Sequence, residues 1–306
     1  MSPFTLGLAG ASLHGLCSFP PSWLTDGGGA PRGLDKPVLL LLHGWQDNAA
    51  SFTPLFPLLV DDYYLVALDW PGHGLSSHRS SDNYYHFVDY IDDLALVVDA
   101  LPSNRVVLLG HSLGALVSVC YAAAFPERVD GAVLLEGLAP LSESPQNAVL
   151  RLRQGIESRQ RFRLRQARLP RTMPDLELAV RLRCQINGLS PEQVRPLVER
   201  GTYNDGGRWF WRHDPRLRCD SLYRMGEEQA AAYVLSLSCP VLSIVGQSGF
   251  ASLKGQSGRL PDWPTLIQHE VPGGHHCHLE SPERVAEQII LFRSNMKNSV
   301  FEPNVS

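Results

Sequence analysis

Gly110-His111-Ser112-Leu113-Gly114 follows the apolar run at residues 105–109 and precedes a helix-like apolar stretch at residues 115–125. A serine between two glycines at a strand-to-helix junction is typical of a nucleophile elbow, a sharp turn that exposes the hydroxyl above the carboxyl edge of a sheet. Glycine at both ends removes the β-carbons that would clash in so tight a turn. The pattern predicts that Ser112 is a nucleophile; the alternative is a solvated serine in an ordinary glycine turn.

On both sides of this motif, short apolar runs alternate with helix-like stretches, which indicates βαβ units and a mostly parallel sheet. The run Val38–Leu42 is apolar throughout, as expected for a strand that is buried on both faces. A hairpin at residues 4–19 is expected at the sheet edge. The other predicted strands cover residues 63–68, 105–109, 131–135, 241–245 and 266–271, and the predicted helices cover residues 50–59, 84–100, 113–125 and 282–295.

Residues 141–235 interrupt this alternation. They are rich in Arg and Gln, have helical periodicity and contain no strand-like run, so we predict a helical cap inserted between two parts of an α/β core, residues 1–140 and 236–306. A charge run of this kind is usually a solvated face, and attraction of an anionic substrate is the alternative. The arginines that make the first part of the cap basic are Arg151, Arg153, Arg159, Arg161, Arg163, Arg165, Arg168 and Arg171.

Composition excludes several classes of protein. The 306 residues are 44% hydrophobic and 19% charged, and the net charge of −4 provides no field that would attract nucleic acid. Six scattered cysteines without a C-x-x-C pair predict reduced thiols rather than a disulfide framework. The N-terminus has no signal-peptide pattern and no apolar run is long enough to span a bilayer, so a cytoplasmic location is expected. No metal-ligand spacing is present, and no cofactor or metal is expected.

Three further motifs carry a resemblance to a known family. His43-Gly44-Trp45 follows the first buried strand, the segment Asp69-Trp70-Pro71-Gly72-His73-Gly74-Leu75-Ser76 fits D-x-x-G-H-G-x-S, and Gly274-His275-His276-Cys277-His278-Leu279-Glu280 fits G-H-x-x-H-L-E. With the elbow, these motifs resemble the α/β-hydrolase superfamily, in the branch of serine hydrolase-like proteins, small esterases, haloalkane dehalogenases and epoxide hydrolases. The resemblance covers about residues 37–137 and 239–293. It implies an α/β-hydrolase fold, a mostly parallel sheet flanked by helices with an inserted helical cap.

The nucleophile distinguishes the branches of this family. Dehalogenases and epoxide hydrolases carry Asp at the position of Ser112, whereas Ser implies attack on a carbonyl and an acyl-enzyme. Serine needs a base to remove its proton. Counted back from the His-Leu-Glu end of the third motif, the family pattern puts the catalytic base at His275. His276 is the rival, and His278 is expected to be structural.

The acid of the triad departs from the commonest family pattern. Many relatives supply Asp in a G-x-x-D turn after the penultimate strand, but here the turn reads Gly246-Gln247-Ser248-Gly249. Glu136, at the end of the predicted strand 131–135, is the substitute, as in some haloalkane dehalogenases. Such a carboxylate would accept the second ring N–H of His275 and fix its tautomer. The alternative is a Glu136 that pairs with an arginine of the cap.

An oxyanion hole needs two donors where negative charge develops. Leu113 offers a backbone N–H as the residue after the nucleophile, and the family analogy adds the N–H of Trp45, whose indole would also wall the acyl pocket. Trp209 and Trp211, in the cap, either roof a hydrophobic substrate pocket or anchor the cap to the core. Structural roles, without a chemical step, are expected for His43, His111, Asp69 and His73.

These inferences favour a carboxylic-ester hydrolase, or a related acyl hydrolase, for a small molecule with an apolar acyl part. A cofactor-free perhydrolase or a C–C hydrolase would use similar machinery on the same fold. A non-catalytic ligand-binding protein is the alternative from another class, and it would explain the missing Asp in the turn at residues 246–249. A peripheral lipase is disfavoured because neither a secretion signal nor an amphipathic lid is evident.

Overall fold

The structure is a computed structural model that describes residues 1–8, 10–24, 34–165, 171–254, 263 and 265–298. The strands are β1 (Ser2–Leu8), β2 (Ala11–Cys17), β3 (Val38–Leu42), β4 (Tyr64–Leu68), β5 (Val106–His111), β6 (Val129–Leu135), β7 (Thr202–Asp205), β8 (Arg208–Trp211), β9 (Val241–Gly246) and β10 (Leu266–Val271). The α-helices are α1 (Phe56–Leu59), α2 (Asp89–Ala100), α3 (Leu113–Ala124), α4 (Ala148–Arg165), α5 (Leu176–Asn187), α6 (Pro191–Gly201), α7 (Glu227–Leu235), α8 (Cys277–Glu280) and α9 (Pro282–Asn298).

Eight of these strands form one sheet in the order β1-β2-β4-β3-β5-β6-β9-β10. The pairs from β4 to β10 are parallel, whereas β2 pairs antiparallel with both β1 and β4. The predicted α/β-hydrolase sheet and its N-terminal edge hairpin are therefore confirmed. Because β5, β6, β9 and β10 are neighbours and parallel, the loops that follow them meet at one edge of the sheet.

Both faces of the sheet are covered, as the apolar run in β3 predicts. Leu40 and Leu42 belong to one buried apolar cluster, and Leu39 and Leu41 belong to another on the opposite face. All four side chains are fully buried. This alternation follows from the two-residue period of a strand, and the helices on each face exclude water from the sheet.

The cap segment is not wholly helical, so the expectation that residues 141–235 contain no strand is wrong. Besides α4 to α7 it contains an antiparallel hairpin of β7 and β8. The turn between these strands contains Gly206 and Gly207, both in the left-handed region with φ of 55° and 78°. An Asp-Gly-Gly turn flanked by aromatic residues favours such a hairpin, and this local signal outweighs the helical periodicity around it.

The Arg-rich helix α4 lies on the surface with its arginines partly paired. Arg151 forms an ion pair of 2.8 Å with Glu143, and Arg153 pairs with Glu157 one turn away at 3.0 Å. Arg159 stacks over the ring of Tyr84. Arg168, the seventh arginine of the predicted basic stretch, lies outside the described residues.

All six cysteines are free thiols, as their spacing predicts. Cys277, two residues after His275, is fully buried among apolar side chains and therefore serves packing. None of the helices in the described ranges combines the length and the apolar character needed to cross a bilayer.

Candidate active site

Ser112 lies between β5 and α3 in strained backbone geometry, with φ of 49° and ψ of −112°. Its N–H donates to the carbonyl of Leu135 at 2.9 Å, which ties the turn to neighbouring β6. Added β-carbons would come within 2.3 Å of the Ala115 nitrogen at Gly110 and 2.0 Å of the Leu42 oxygen at Gly114. The turn therefore needs both glycines, and it leaves Ser112 half-buried at the carboxyl edge of the sheet.

Glu136 follows β6, with φ of 53°, and its side chain is held at three points. Its carboxylate accepts the N–H of Gly246 at 2.7 Å, the N–H of Phe250 at 3.1 Å and Nδ1 of His275 at 3.4 Å. Burial alone would raise the pKa of Glu136, but the hydrogen bonds from His275, Phe250 and Gly246 outweigh it and lower the pKa below its ordinary value. The group is therefore a carboxylate at neutral pH, beside the imidazole of His275.

Gly249 explains why the acid is missing from the turn after β9. A β-carbon built on Gly249 would lie 2.0 Å from Oε1 of Glu136. The Glu136 carboxylate therefore occupies the space in which a side chain at position 249 would begin. Glu136 reaches this space across β9 because position 249 carries no side chain.

His275 and His276 point to different partners. Nδ1 of His275 faces Glu136, and its ring packs on Phe250 with the centroids 4.4 Å apart. Nε2 of His276 instead faces Oδ2 of Asp47 at 3.4 Å and Nδ2 of Asn187 at 2.9 Å. The structure thus brings Glu136 together with His275, and it separates the rival His276 from that carboxylate's hydrogen bonds.

The hydroxyl of Ser112 is not hydrogen-bonded to His275, and within the described ranges it has no hydrogen-bond partner. The two residues are nevertheless neighbours in space, because Nε2 of His111 donates to the carbonyl of His275 at 2.8 Å. Contacts between a nucleophile and its base are often long before substrate binds and shorten in the complex.

The proposed oxyanion donors lie on either side of the elbow. Leu113 is the first residue of α3, so its N–H has no partner within the helix. The backbone at Gly44, the residue before Trp45, lies close to the elbow. A β-carbon built on Gly44 would lie 3.3 Å from the β-carbon of Ser112. In the described part of the chain, neither the N–H of Leu113 nor that of Trp45 donates to a protein acceptor. Both amides are thus available to an oxygen bound at this edge.

The residues expected to be structural do hold the surrounding loops. His43 contacts the carbonyl of Gly44 at 2.7 Å through Nδ1 and accepts the N–H of Trp70 at 3.0 Å through Nε2. Burial lowers the pKa of His43 to about 4, so its ring is neutral. His278 is hydrogen-bonded to the hydroxyl of Ser51 at 2.7 Å, and burial lowers its pKa to about 3.

The loop after β4 is likewise held in place by two residues for which a structural role is expected. Asp69 accepts the N–H groups of Ala49 at 2.7 Å and Leu75 at 2.9 Å. His73 is bonded through Nδ1 to the carbonyl of Pro71 at 3.1 Å, and burial lowers its pKa to about 3. These residues fix the loop without reaching Ser112.

The two cap tryptophans have different surroundings. Trp209 packs on the apolar core of the cap itself, and its backbone pairs with Met173 in both directions at 2.9 Å. Trp211 also contacts that core, and it lines a narrow crevice between cap and sheet together with Gln46 and His213. Trp209 thus packs mainly within the cap, whereas Trp211 faces the crevice. Trp45 is 38% exposed and its ring packs on His73.

Sequence reasoning missed the residues that join the cap to this site. Asp47 pairs with Arg183 of α5, and Asn187, one turn later on that helix, contacts His276. Asp69 pairs with Arg200 of α6 at 2.8 Å. No sequence signal links residues so far apart, although the position of Asp47, two residues after Trp45, marks it as a loop residue near the site.

Comparison with known proteins agrees with this architecture. The sequence profile of the alpha/beta hydrolase fold family matches residues 37–282. A serine hydrolase-like protein of Danio rerio is 32% identical over 84% of this chain and 81% of its own length, and serine hydrolase-like protein 2 of Homo sapiens is 33% identical over 85% and 87%. A hypothetical protein of Pseudomonas aeruginosa PAO1 has a crystal structure that superimposes with a TM-score of 0.82, at 30% identity, over 98% of this chain and 100% of its own.

Proposed function

The chain belongs to the alpha/beta hydrolase fold family, and from that premise we propose that it is a serine hydrolase that cleaves a carboxylic ester or a related acyl substrate. The observation that carries the proposal is the contact of 3.4 Å between Glu136 and Nδ1 of His275, beside a strained serine. The serine hydrolase-like names of the two curated relatives support the same chemistry.

In the proposed reaction, Ser112 Oγ attacks the substrate carbonyl while Nε2 of His275 takes the serine proton. Glu136 keeps Nδ1 protonated and stabilises the imidazolium that forms. The oxyanion receives the N–H groups of Leu113 and Trp45. His275 then gives its proton to the leaving alcohol, and a water molecule, activated by the same imidazole, hydrolyses the acyl-enzyme. The reaction requires a side-chain rotation that brings the Ser112 hydroxyl to His275.

The proposed substrate is a small molecule with an apolar acyl part. The exposed part of the Trp45 indole offers it an apolar wall beside the elbow, and the Trp211 side of the crevice offers a second. Because the protein carries a net charge of −4, nucleic acid is not a proposed partner. The chemistry needs no cofactor, since the three side chains and two amides supply every proton and donor.

Labelling with a fluorophosphonate probe tests the proposal. The wild-type protein should be labelled and Ser112→Ala should not, because the probe reacts with an activated serine hydroxyl. Ser118→Ala, a buried serine on α3, is the matched control and should be labelled like the wild type. Folded wild-type protein that resists the probe would instead identify a ligand-binding protein without catalysis.

A panel of p-nitrophenyl esters with graded acyl chains measures the substrate class. We expect hydrolysis by the wild type and by Ser118→Ala, a preference for apolar acyl groups, and none by Ser112→Ala. Labelling without hydrolysis of any ester would favour a related acyl reaction, that of a perhydrolase or a C–C hydrolase.

A further inference from the structure

A second polar cluster lies behind the candidate triad. Asp47 after β3, His111 at the end of β5 and His276 after β10 bring one oxygen and two ring nitrogens within 4.8 Å of one another. The residues are only 3%, 1% and 8% exposed. Oδ2 of Asp47 is 3.7 Å from Nδ1 of His111 and 3.4 Å from Nε2 of His276.

The hydrogen bonds of His111 leave no proton between its ring and the Asp47 carboxylate. Because Nε2 of His111 donates to the carbonyl of His275, the neutral ring carries a bare lone pair on Nδ1. That lone pair points towards the Asp47 carboxylate, and in the described residues Nδ1 has no hydrogen-bond partner. Two electron-rich atoms that face each other inside a protein repel unless a cation lies between them.

The second contacts of these residues are those that metal ligands usually have. A histidine that binds metal typically donates its other N–H to a backbone carbonyl, as His111 does, and a ligating carboxylate is itself hydrogen-bonded. The other oxygen of Asp47 pairs with Arg183, which fixes the carboxylate and leaves Oδ2 directed at the two rings.

We propose that Asp47, His111 and His276 form a binding site for a tetrahedral transition-metal dication of the Zn²⁺ class. Bonds of about 2.0–2.2 Å to nitrogen and oxygen place tetrahedral ligands about 3.3–3.6 Å apart. The separations of 3.4 and 3.7 Å from Oδ2 of Asp47 are close to that spacing, and the two imidazole nitrogens lie within 4.8 Å of each other. One carboxylate and two imidazoles suit Zn²⁺ better than Mg²⁺ or Ca²⁺, which prefer oxygen ligands.

A fourth ligand and an entry path are both at hand. Oδ1 of Asn187 is buried without a hydrogen-bond partner in the described chain, while its amide nitrogen lies 2.9 Å from Nε2 of His276. Rotation of that amide by half a turn would direct its oxygen to the ion. The crevice between cap and sheet is lined by Asp47 and Arg183, and we expect an ion to enter from this side.

Cobalt and zinc titrations of the chelator-treated full chain test the site. Co²⁺ should bind with a stoichiometry of one and give the intense visible absorption of a tetrahedral complex, and calorimetry should give one equivalent of Zn²⁺. His276→Gln should weaken binding at least about tenfold because it removes an imidazole ligand. Asp47→Asn should do the same and serves as the second variant if the first does not fold.

His275→Gln is the matched control, because it removes the neighbouring imidazole and should leave metal binding unchanged. The proposal is overturned if folded His276→Gln and Asp47→Asn bind Co²⁺ as tightly as the wild type, or if the wild type binds none. It is equally overturned if His275→Gln alone loses the ion, which would place the metal on the Glu136–His275 pair. These readouts do not require hydrolase activity, so they remain valid whatever the fluorophosphonate probe shows.

Discussion

The backbone of Ser112 shows how a single residue stores free energy in the folded state. A non-glycine residue with φ of 49° and ψ of −112° is strained by an amount of order 1–3 kcal/mol. The elbow retains this geometry because Ser112 is fixed between β5 and α3 and its N–H is bonded to β6. The strained turn leaves Ser112 partly exposed at the carboxyl edge of the sheet.

Replacing Ser112 with glycine should therefore stabilise the protein. Glycine adopts this geometry without strain, and its entropic disadvantage of about 0.5–1 kcal/mol is smaller than the strain relieved. We expect Ser112→Gly to exceed Ser112→Ala in unfolding free energy by about 1 kcal/mol, measured by urea denaturation. Equal stabilities would show that the turn is not strained, and both variants should lack the proposed activity.

The Glu136 carboxylate fills the space that a side chain at position 249 would occupy. This leads to a second prediction at the scale of single residues. Glu136→Gln should lower the turnover of an ester substrate by about 10³–10⁴-fold with the fold intact, because the amide favours the wrong imidazole tautomer. Glu136→Ala should be similarly impaired, and adding Gly249→Asp to it should recover part of the rate. Asp is tolerated there because φ of Gly249 lies outside the left-handed region.

Steady-state kinetics of the three single variants, Glu136→Gln, Glu136→Ala and Gly249→Asp, and of the double variant Glu136→Ala/Gly249→Asp measures this exchange. Gly249→Asp alone is the control: with Glu136 present, the new carboxylate clashes and should lower activity. Full activity in Glu136→Gln would show that the acid lies elsewhere. A double variant no faster than Glu136→Ala would show that position 249 cannot carry the acid.

At the scale of single residues, local sequence patterns predicted some residues of the site and not others. The flanking strand, helix and glycines predicted the elbow at Ser112, and the absence of Asp at residues 246–249 directed attention to Glu136. The sequence did not reveal Asp47, Arg183 or Asn187. Their contacts join residues 136 positions apart, for Asp47 and Arg183, and 89 positions apart, for Asn187 and His276, which no local pattern records.

At the scale of elements, the buried parallel strands were predicted to within two residues because their apolar runs are continuous. Helix α2 begins later than predicted, at Asp89 rather than near residue 84. Tyr85, on the segment before it, donates its hydroxyl to Asp214 at 2.8 Å, a contact with the cap that favours a loop. The hairpin of β7 and β8 was not predicted because the residues around its turn have the composition and periodicity of helices.

The buried ion pair between α6 and the loop after β4 should matter more than a surface pair on the same helix. Arg200 donates through Nε to both oxygens of Asp69, at 2.9 and 3.0 Å, and the Asp69 side chain is fully buried. Arg200→Ala leaves that charge buried without its partner, so we expect a loss of about 3 kcal/mol in unfolding free energy.

Arg195→Ala is the matched control on α6. Its pair with Glu177 is exposed, with 39% and 55% of the two side chains accessible, so the loss should stay below about 1 kcal/mol. Urea denaturation of both variants measures the difference. Equal losses would mean that the cap is not held to the core through Asp69.

For the whole molecule, the buried neutral histidines set the response to acid. Burial lowers the pKa of His43 to about 4 and the pKa values of His73 and His278 to about 3. In the unfolded chain each would titrate near 6.5. Below that pH the unfolded state binds protons that the folded state cannot, so stability is present above about pH 6.5 and declines towards pH 4.

Each of these histidines should contribute a slope approaching about 1.4 kcal/mol per pH unit within that window. Denaturant unfolding between pH 8 and 4.5 should show a plateau followed by a steep decline. His278→Asn should make the decline shallower, even if it lowers stability at pH 8. A curve that stays level down to pH 5 would contradict neutral burial of these rings.

The Glu136 carboxylate extends across β9 to the turn where many relatives carry their acid. This affects how such proteins are classified. A survey that searches the turn after the penultimate strand for aspartate would score this protein as a degenerate pseudoenzyme. What the proposed site requires of that turn is two main-chain amides and one position without a side chain. An inventory of active relatives should therefore examine which backbone groups surround an acid, wherever along the chain it originates.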